Sequence, residues 1–143
     1  MNLNYNISTI TKAINGKCNA IKNDIIKTVF IDSRIYFDEK TAIFFAIKGN
    51  QHDAHHYIKE LYDKGLRNFV VNQDFNIPNI EEATLIKVTN TLEALQKLAF
   101  FHKQQFNIPT IAITGSNGKT IIKEWLYHYL RDDYNIVRSP KSY

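Results

Sequence analysis

Apolar positions in this chain fall into short unbroken runs alternating with stretches of helical spacing. Thr28, Val29, Phe30 and Ile31 are β-branched or aromatic. Ala42, Ile43, Phe44, Phe45, Ala46 and Ile47 form an apolar run of strand length that ends at Lys48 and Gly49. Asn68-Phe69-Val70-Val71 and Leu85-Ile86-Lys87-Val88 read as two more strands. From His55 to Lys64, the residues Tyr57, Ile58, Leu61 and Tyr62 share one face at helical spacing. Gly65 stands where a left-handed residue would end that helix. Residues 7–15 read as a short helix, with Ser8 able to cap its start and Gly16 its end. Strand, helix, strand in this order predicts a βαβ crossover and a parallel sheet.

The longest helical pattern covers residues 91–106, with Leu92, Leu95, Ala99, His102 and Phe106 expected on its buried stripe. Asn107-Ile108-Pro109 breaks it. Residues 110–113 (Thr-Ile-Ala-Ile) predict a strand, 120–131 a helix and 135–137 a further strand. Trp125 and the other aromatics are expected in the core. The expected fold class is α/β, with a boundary near residue 90: a small N-terminal α/β domain over 1–89, then over 90–143 the opening strand–loop–helix–strand of a parallel-sheet domain. Two strands and two helices cannot cover both faces of such a sheet. The second part is therefore expected to be a piece of a larger domain.

Composition narrows the class. At 143 residues, 44% hydrophobic and 22% charged, the sequence is that of a folded globular protein. No apolar run approaches the ~20 residues that cross a bilayer. The polar start Met1-Asn2-Leu3-Asn4 lacks the layout of a secretion signal. The expectation is a cytoplasmic protein with no membrane insertion. The single cysteine, Cys18, excludes an internal disulfide and a Cys-rich zinc site. His52, His55 and His56 match no common zinc spacing. A net charge of +4 suits an anionic ligand. The lysines are scattered and no basic run is interleaved with aromatics, so no nucleic-acid partner is expected.

The charge finds its use in Gly115-Ser116-Asn117-Gly118-Lys119-Thr120, set between a predicted strand and a predicted helix. Glycines let the backbone wrap phosphate oxygens, and the following helix aims its free N–H groups at the same anion. Lys119 would reach the β- and γ-phosphates of ATP, and the Thr120 hydroxyl would bind Mg²⁺. The commonest phosphate loop has its first glycine two positions earlier, where Ile113 stands. Read alone, the loop also fits a small-molecule kinase or a non-catalytic nucleotide-binding module.

From Ile113 to Thr120 the sequence resembles the ATP-binding signature of the Mur ligases, the ATP-dependent amide-forming enzymes of peptidoglycan synthesis, with folylpolyglutamate synthetase as a relative. The shortened loop is the form this family uses. Ile31-Asp32-Ser33-Arg34, the run from Ala42 to Gly49, Asp53-Ala54-His55-His56-Tyr57-Ile58, Gly65 and Phe69-Val70-Val71 follow in the family's order. They resemble the UDP-binding domain of the members that add the third residue and the terminal dipeptide. Asp53-Ala54-His55, and Ser116 with Lys123-Glu124, favour the dipeptide-adding member.

The resemblance implies a ligation through an acyl phosphate, with UDP-N-acetylmuramoyl-tripeptide and D-alanyl-D-alanine as substrates and ATP and Mg²⁺ as cofactors, by a monomer. It implies that Gly115, Ser116, Asn117, Gly118, Lys119 and Thr120 hold ATP, with Lys119 neutralising the transferring phosphoryl group. It implies that Ser33, Arg34, Lys48, Gly49, Asp53 and His55 serve the UDP part. Arg34 suits a diphosphate because its planar fork can bond two oxygens. The family's Mg²⁺-binding glutamate, carbamylated lysine and third domain follow the loop and do not fit after Thr120. The 143-residue chain alone is expected to be inactive.

Overall fold

The computed structural model describes residues 3–19, 24–35, 40–49, 52–76 and 80–139. Contacts divide the chain into two units, Met1–Phe106 and Asn107–Tyr143.

The first unit holds strands β1 (Tyr5–Asn6), β2 (Lys17–Cys18), β3 (Ile25–Ile26), β4 (Thr28–Phe30), β5 (Ala42–Phe45), β6 (Asn68–Asn72) and β7 (Thr84–Val88). Its helices are α1 (Ile7–Ala13), α2 (Ile58–Asp63) and α3 (Thr91–Gln104), with a 3-10 turn over Ala54–Tyr57 leading into α2. Five strands form one sheet in the order β2-β7-β6-β5-β4, and β1 pairs with β3 separately. The pairs β4–β5, β5–β6 and β6–β7 are parallel, while β2 runs antiparallel to β7. The predicted βαβ crossover is β5–α2–β6.

Both sheet faces are covered, which explains why the run from Ala42 to Ala46 is apolar at every position. All five residues are buried. Alternate side chains point to opposite faces. Ile43 and Phe45 join Val70, Ile86 and Val88 under α1 (Ile7, Ile10) and α3 (Ala94, Leu98). Ala42, Phe44 and Ala46 join Phe69 and Val71 under Ile58 and Leu61 of α2. Complete burial of a side chain of this size contributes roughly 1.5–3 kcal/mol.

Helix ends follow from local chemistry. In α2 the Gly65 N–H donates to the Tyr62 carbonyl at 2.9 Å and the Leu66 N–H to the Leu61 carbonyl at 3.0 Å. Gly65 sits at φ 100°, the left-handed turn its sequence position predicts. At α1 the capping expectation is corrected. Asn6, not Ser8, caps the start by accepting the Thr9 N–H at 2.8 Å. Asn15 at φ 54°, not Gly16, takes the left-handed position at the end. Gly16 is required for a different reason. A Cβ there would lie 2.5 Å from Cγ2 of Ile86.

The α3 stripe also differs from expectation. Thr91, Ala94 and Leu98 are the buried residues, whereas Leu92, Ala99 and Phe106 are exposed. The helix lies with Ala94 against the sheet, because a small side chain there lets it approach closely. Having packed this way, α3 belongs to the first compact unit, which runs to Phe106.

The second unit contains α4 (Lys119–Leu130). The strands expected at 110–113 and 135–137 are not formed. A strand exists by pairing, and no ladder involves these residues among those described. Ile111 is 65% and Val137 97% exposed. Trp125, expected in the core, is 67% exposed, and α4 has no buried residue.

Candidate functional site

Parallel pairing of β4, β5, β6 and β7 puts their carboxyl ends on one edge, the edge where ligands of open α/β sheets gather. Ser33 and Arg34 follow β4. Lys48, Gly49, Asp53 and His55 follow β5. The structure thus brings all six expected substrate residues to the same edge of the sheet.

Their chemistry differs. Asp32 to Ile35 form a turn in which the Ile35 N–H donates to the Asp32 carbonyl at 3.3 Å. Arg34 curls onto Asp32, with Nε 2.9 Å from Oδ1 and Nη2 2.6 Å from Oδ2, and its backbone N–H reaches Oδ1 at 3.0 Å. The hydrogen-bonded guanidinium holds the Asp32 carboxyl down at about 2, and the carboxylate raises Arg34 in turn. The fork that suits a diphosphate is therefore occupied by a carboxylate, on a side chain that is 87% exposed.

After β5 the backbone makes a short excursion. The Ala54 N–H donates to the Ile47 carbonyl at 3.0 Å and the Gly49 N–H to the His52 carbonyl at 2.7 Å, and Lys48 bridges to Asp53. Lys48 and Gly49 are exposed at its base. Asp53 caps the 3-10 turn by accepting the His55 N–H at 3.0 Å. Partial burial pushes the Asp53 carboxyl up, but the hydrogen bonds from the His55 backbone and ring outweigh it and the net shift is down. His55 is only 5% exposed. Its Nδ1 lies 2.5 Å from Asp53 Oδ1, its Nε2 accepts the Asn72 N–H at 3.0 Å, and its ring packs 4.5 Å from Phe75. Sequence reasoning missed Asn72 and Phe75. A backbone N–H leaves no mark on residue type, so nothing in the sequence signals Asn72.

In the second unit the loop before α4 contains two glycines with positive φ, Gly115 at 153° and Gly118 at 78°. Gly118 is the helix N-cap and supplies no capping side chain, and the first turn holds no acidic residue. The N–H groups of a helix's first turn have no carbonyl one turn back to bond. A Cβ at Gly118 would meet nothing within 4 Å, so the space in front of the helix start is open. Lys119 Nζ donates to the Gly115 carbonyl at 2.6 Å, folding the lysine over the loop. An uncapped helix start, an open approach and a lysine that can swing off a carbonyl fit an anionic phosphate. Thr120 lies in the first turn beside them. Among the described residues no group of three or more His, Cys, Asp or Glu could hold a metal ion. No helix there is long and apolar enough to cross a membrane.

No family model matches the chain. It is 38% identical over 105 residues to the UDP-N-acetylmuramoyl-tripeptide–D-alanyl-D-alanine ligase of Rickettsia prowazekii, covering 73% of this chain and 23% of that protein. It is also 38% identical over 110 residues to the UDP-N-acetylmuramoyl-L-alanyl-D-glutamate–2,6-diaminopimelate ligase of Phocaeicola vulgatus, covering 74% of this chain and 22% of that protein. A crystal structure of MurF from Acinetobacter baumannii superposes with a TM-score of 0.80 at 28% identity, covering 93% of this chain and 29% of that one. The chain therefore spans about a quarter of the length of the relatives it matches. By sequence and by fold, this chain belongs to the Mur ligase family.

Proposed function

We propose that the chain supplies the UDP-substrate edge and the ATP phosphate loop of a ligase that joins D-alanyl-D-alanine to UDP-N-acetylmuramoyl-tripeptide. The observation that carries this reading is the likeness to MurF over 93% of the chain. In this reading Ser33, Arg34, Lys48, Gly49 and Asp53 serve the UDP part at the carboxyl edge of the sheet. Gly115, Ser116, Asn117, Gly118, Lys119 and Thr120 hold the ATP phosphates. The backbone N–H groups at the start of α4 would take the place of a capping side chain for the phosphate oxygens. Lys119 would leave the Gly115 carbonyl to offset charge on the phosphoryl group passed to the substrate carboxylate. Mg²⁺, held in part by the Thr120 hydroxyl, would supply further charge neutralisation there. The reaction would run in the cytoplasm. The chain by itself would bind both ligands and complete no ligation.

A second reading, ligation of the third peptide residue, is favoured by the equal identity to the diaminopimelate-adding relative. Calorimetric titration of the 143-residue chain separates the two. Tighter binding of UDP-N-acetylmuramoyl-tripeptide than of UDP-N-acetylmuramoyl-L-alanyl-D-glutamate supports the first reading, and the reverse order supports the second. Binding of neither, with Mg·ATP also ignored, removes both.

A further inference from the structure

We infer that His55 is a positioning residue that pins the loop carrying Lys48 and Asp53 to the end of β6, and is not itself a ligand contact; this rests on reading that edge as the UDP-substrate site. The ring is buried and both its nitrogens are used. A carboxylate oxygen of Asp53 can only accept, so Nδ1 carries the proton. The Asn72 N–H can only donate, so Nε2 is bare. One neutral tautomer meets both demands and leaves no ring atom for a substrate.

The reason for the arrangement lies in the sheet. The Gln73 N–H donates to the Val88 carbonyl on β7 at 2.8 Å. The N–H one residue earlier therefore points the other way, toward β5. The β5–β6 ladder ends at Phe45 and Val70, and the Ala46 N–H makes the last bond, to the Val70 carbonyl at 3.0 Å. Beyond it β5 has turned into the loop, and the Asn72 N–H faces no strand. The His55 ring takes the place of the missing strand partner. Through Nδ1 it also holds Asp53, which bridges Lys48 across the base of the same loop. One side chain thus couples the β6 end to the loop on which the candidate substrate residues sit.

The test compares wild type, His55→Leu and His55→Gln in the 143-residue chain. His55→Leu keeps bulk and removes both bonds, while His55→Gln keeps an acceptor within reach of Asn72. UDP-N-acetylmuramoyl-tripeptide should bind wild type, bind His55→Leu about tenfold more weakly, and regain most of the loss in His55→Gln. Hydrogen exchange should show the Asn72 amide protected in wild type and His55→Gln and unprotected in His55→Leu. Nitrogen NMR of the wild-type imidazole should show Nδ1 protonated and Nε2 bare. Failure of wild type to bind removes the substrate reading itself, and the exchange and tautomer results then still decide the pinning. Equal binding by all three proteins, a protonated Nε2, or an unprotected Asn72 amide in wild type overturns the inference. Should His55→Leu not fold, His55→Gln and the wild-type tautomer decide it.

Discussion

Arg34 and Asp32 form a two-point ion pair, Nη2 to Oδ2 at 2.6 Å and Nε to Oδ1 at 2.9 Å, at the carboxyl end of β4. The pair ties the guanidinium to a turn that is half-buried at Asp32 and Ser33 and exposed at Arg34 and Ile35. It also means that an incoming diphosphate must share or displace a carboxylate. Asp32→Asn should leave the fold intact and strengthen binding of the UDP substrate, because the fork is freed. Arg34→Lys should weaken it by about tenfold, since lysine lacks the fork. Titration calorimetry on the two variants checks both signs.

The same pair has a pH signature. The Asp32 carboxyl is held at about 2, below its ordinary value of 3.8. For a depressed carboxylate the stabilising contribution is present above the unfolded value and fades as pH falls toward the folded one. The contact should therefore persist at pH 4, be half lost near pH 2 and disappear only below it, its stabilisation fading between about pH 4 and pH 1. Carboxyl-carbon NMR of Asp32 across that range measures the midpoint. A midpoint near the ordinary value would mean that the pair does not form in solution.

Gly16 and Gly65 should respond to alanine for different reasons. At Gly16 the added methyl meets Ile86 at 2.5 Å, an overpacking worth about 1–3 kcal/mol. At Gly65 the cost is the left-handed backbone, roughly 1–2 kcal/mol. Urea unfolding measures both. Combining Gly16→Ala with Ile86→Val should recover part of the first loss, and no core change should recover the second.

Lys119 gives the sharpest prediction for the loop. Its Nζ donates to the Gly115 carbonyl at 2.6 Å, on a helix that has no buried residue. Lys119→Ala should leave the thermal midpoint nearly unchanged and reduce Mg·ATP binding by at least about tenfold. Loss of fold together with loss of binding would assign the lysine a structural task instead.

Much of the first unit was legible because both covering layers leave a mark in the sequence. The all-apolar run from Ala42 to Ala46, the helical spacing of Ile58 and Leu61, and Gly65 at the turn announce a βαβ unit in a doubly covered sheet. What was not legible depends on partners distant in sequence. β1, β2 and β3 are two-residue strands made by register, with no periodicity to read. The α3 stripe is set by how closely Ala94 lets the helix approach. Residues 110–113 have strand composition but no paired neighbour. In the site, chemistry-bearing side chains such as Ser33, Arg34 and Asp53 could be named from sequence and are gathered by the sheet. The role of His55 could not be read, because it turns on a backbone N–H.

The central claim is that this chain recognises a UDP-muramoyl substrate at the sheet edge and nucleotide phosphate at the loop before α4. Backbone amide NMR of the labelled chain, titrated first with UDP-N-acetylmuramoyl-tripeptide and then with Mg·ATP, tests it most directly. Saturable shifts are expected at Ser33, Arg34, Lys48, Gly49 and Asp53 for the first ligand and at Gly115, Ser116, Asn117, Gly118, Lys119 and Thr120 for the second. Saturable shifts confined to other surfaces, or none with either ligand, would contradict it.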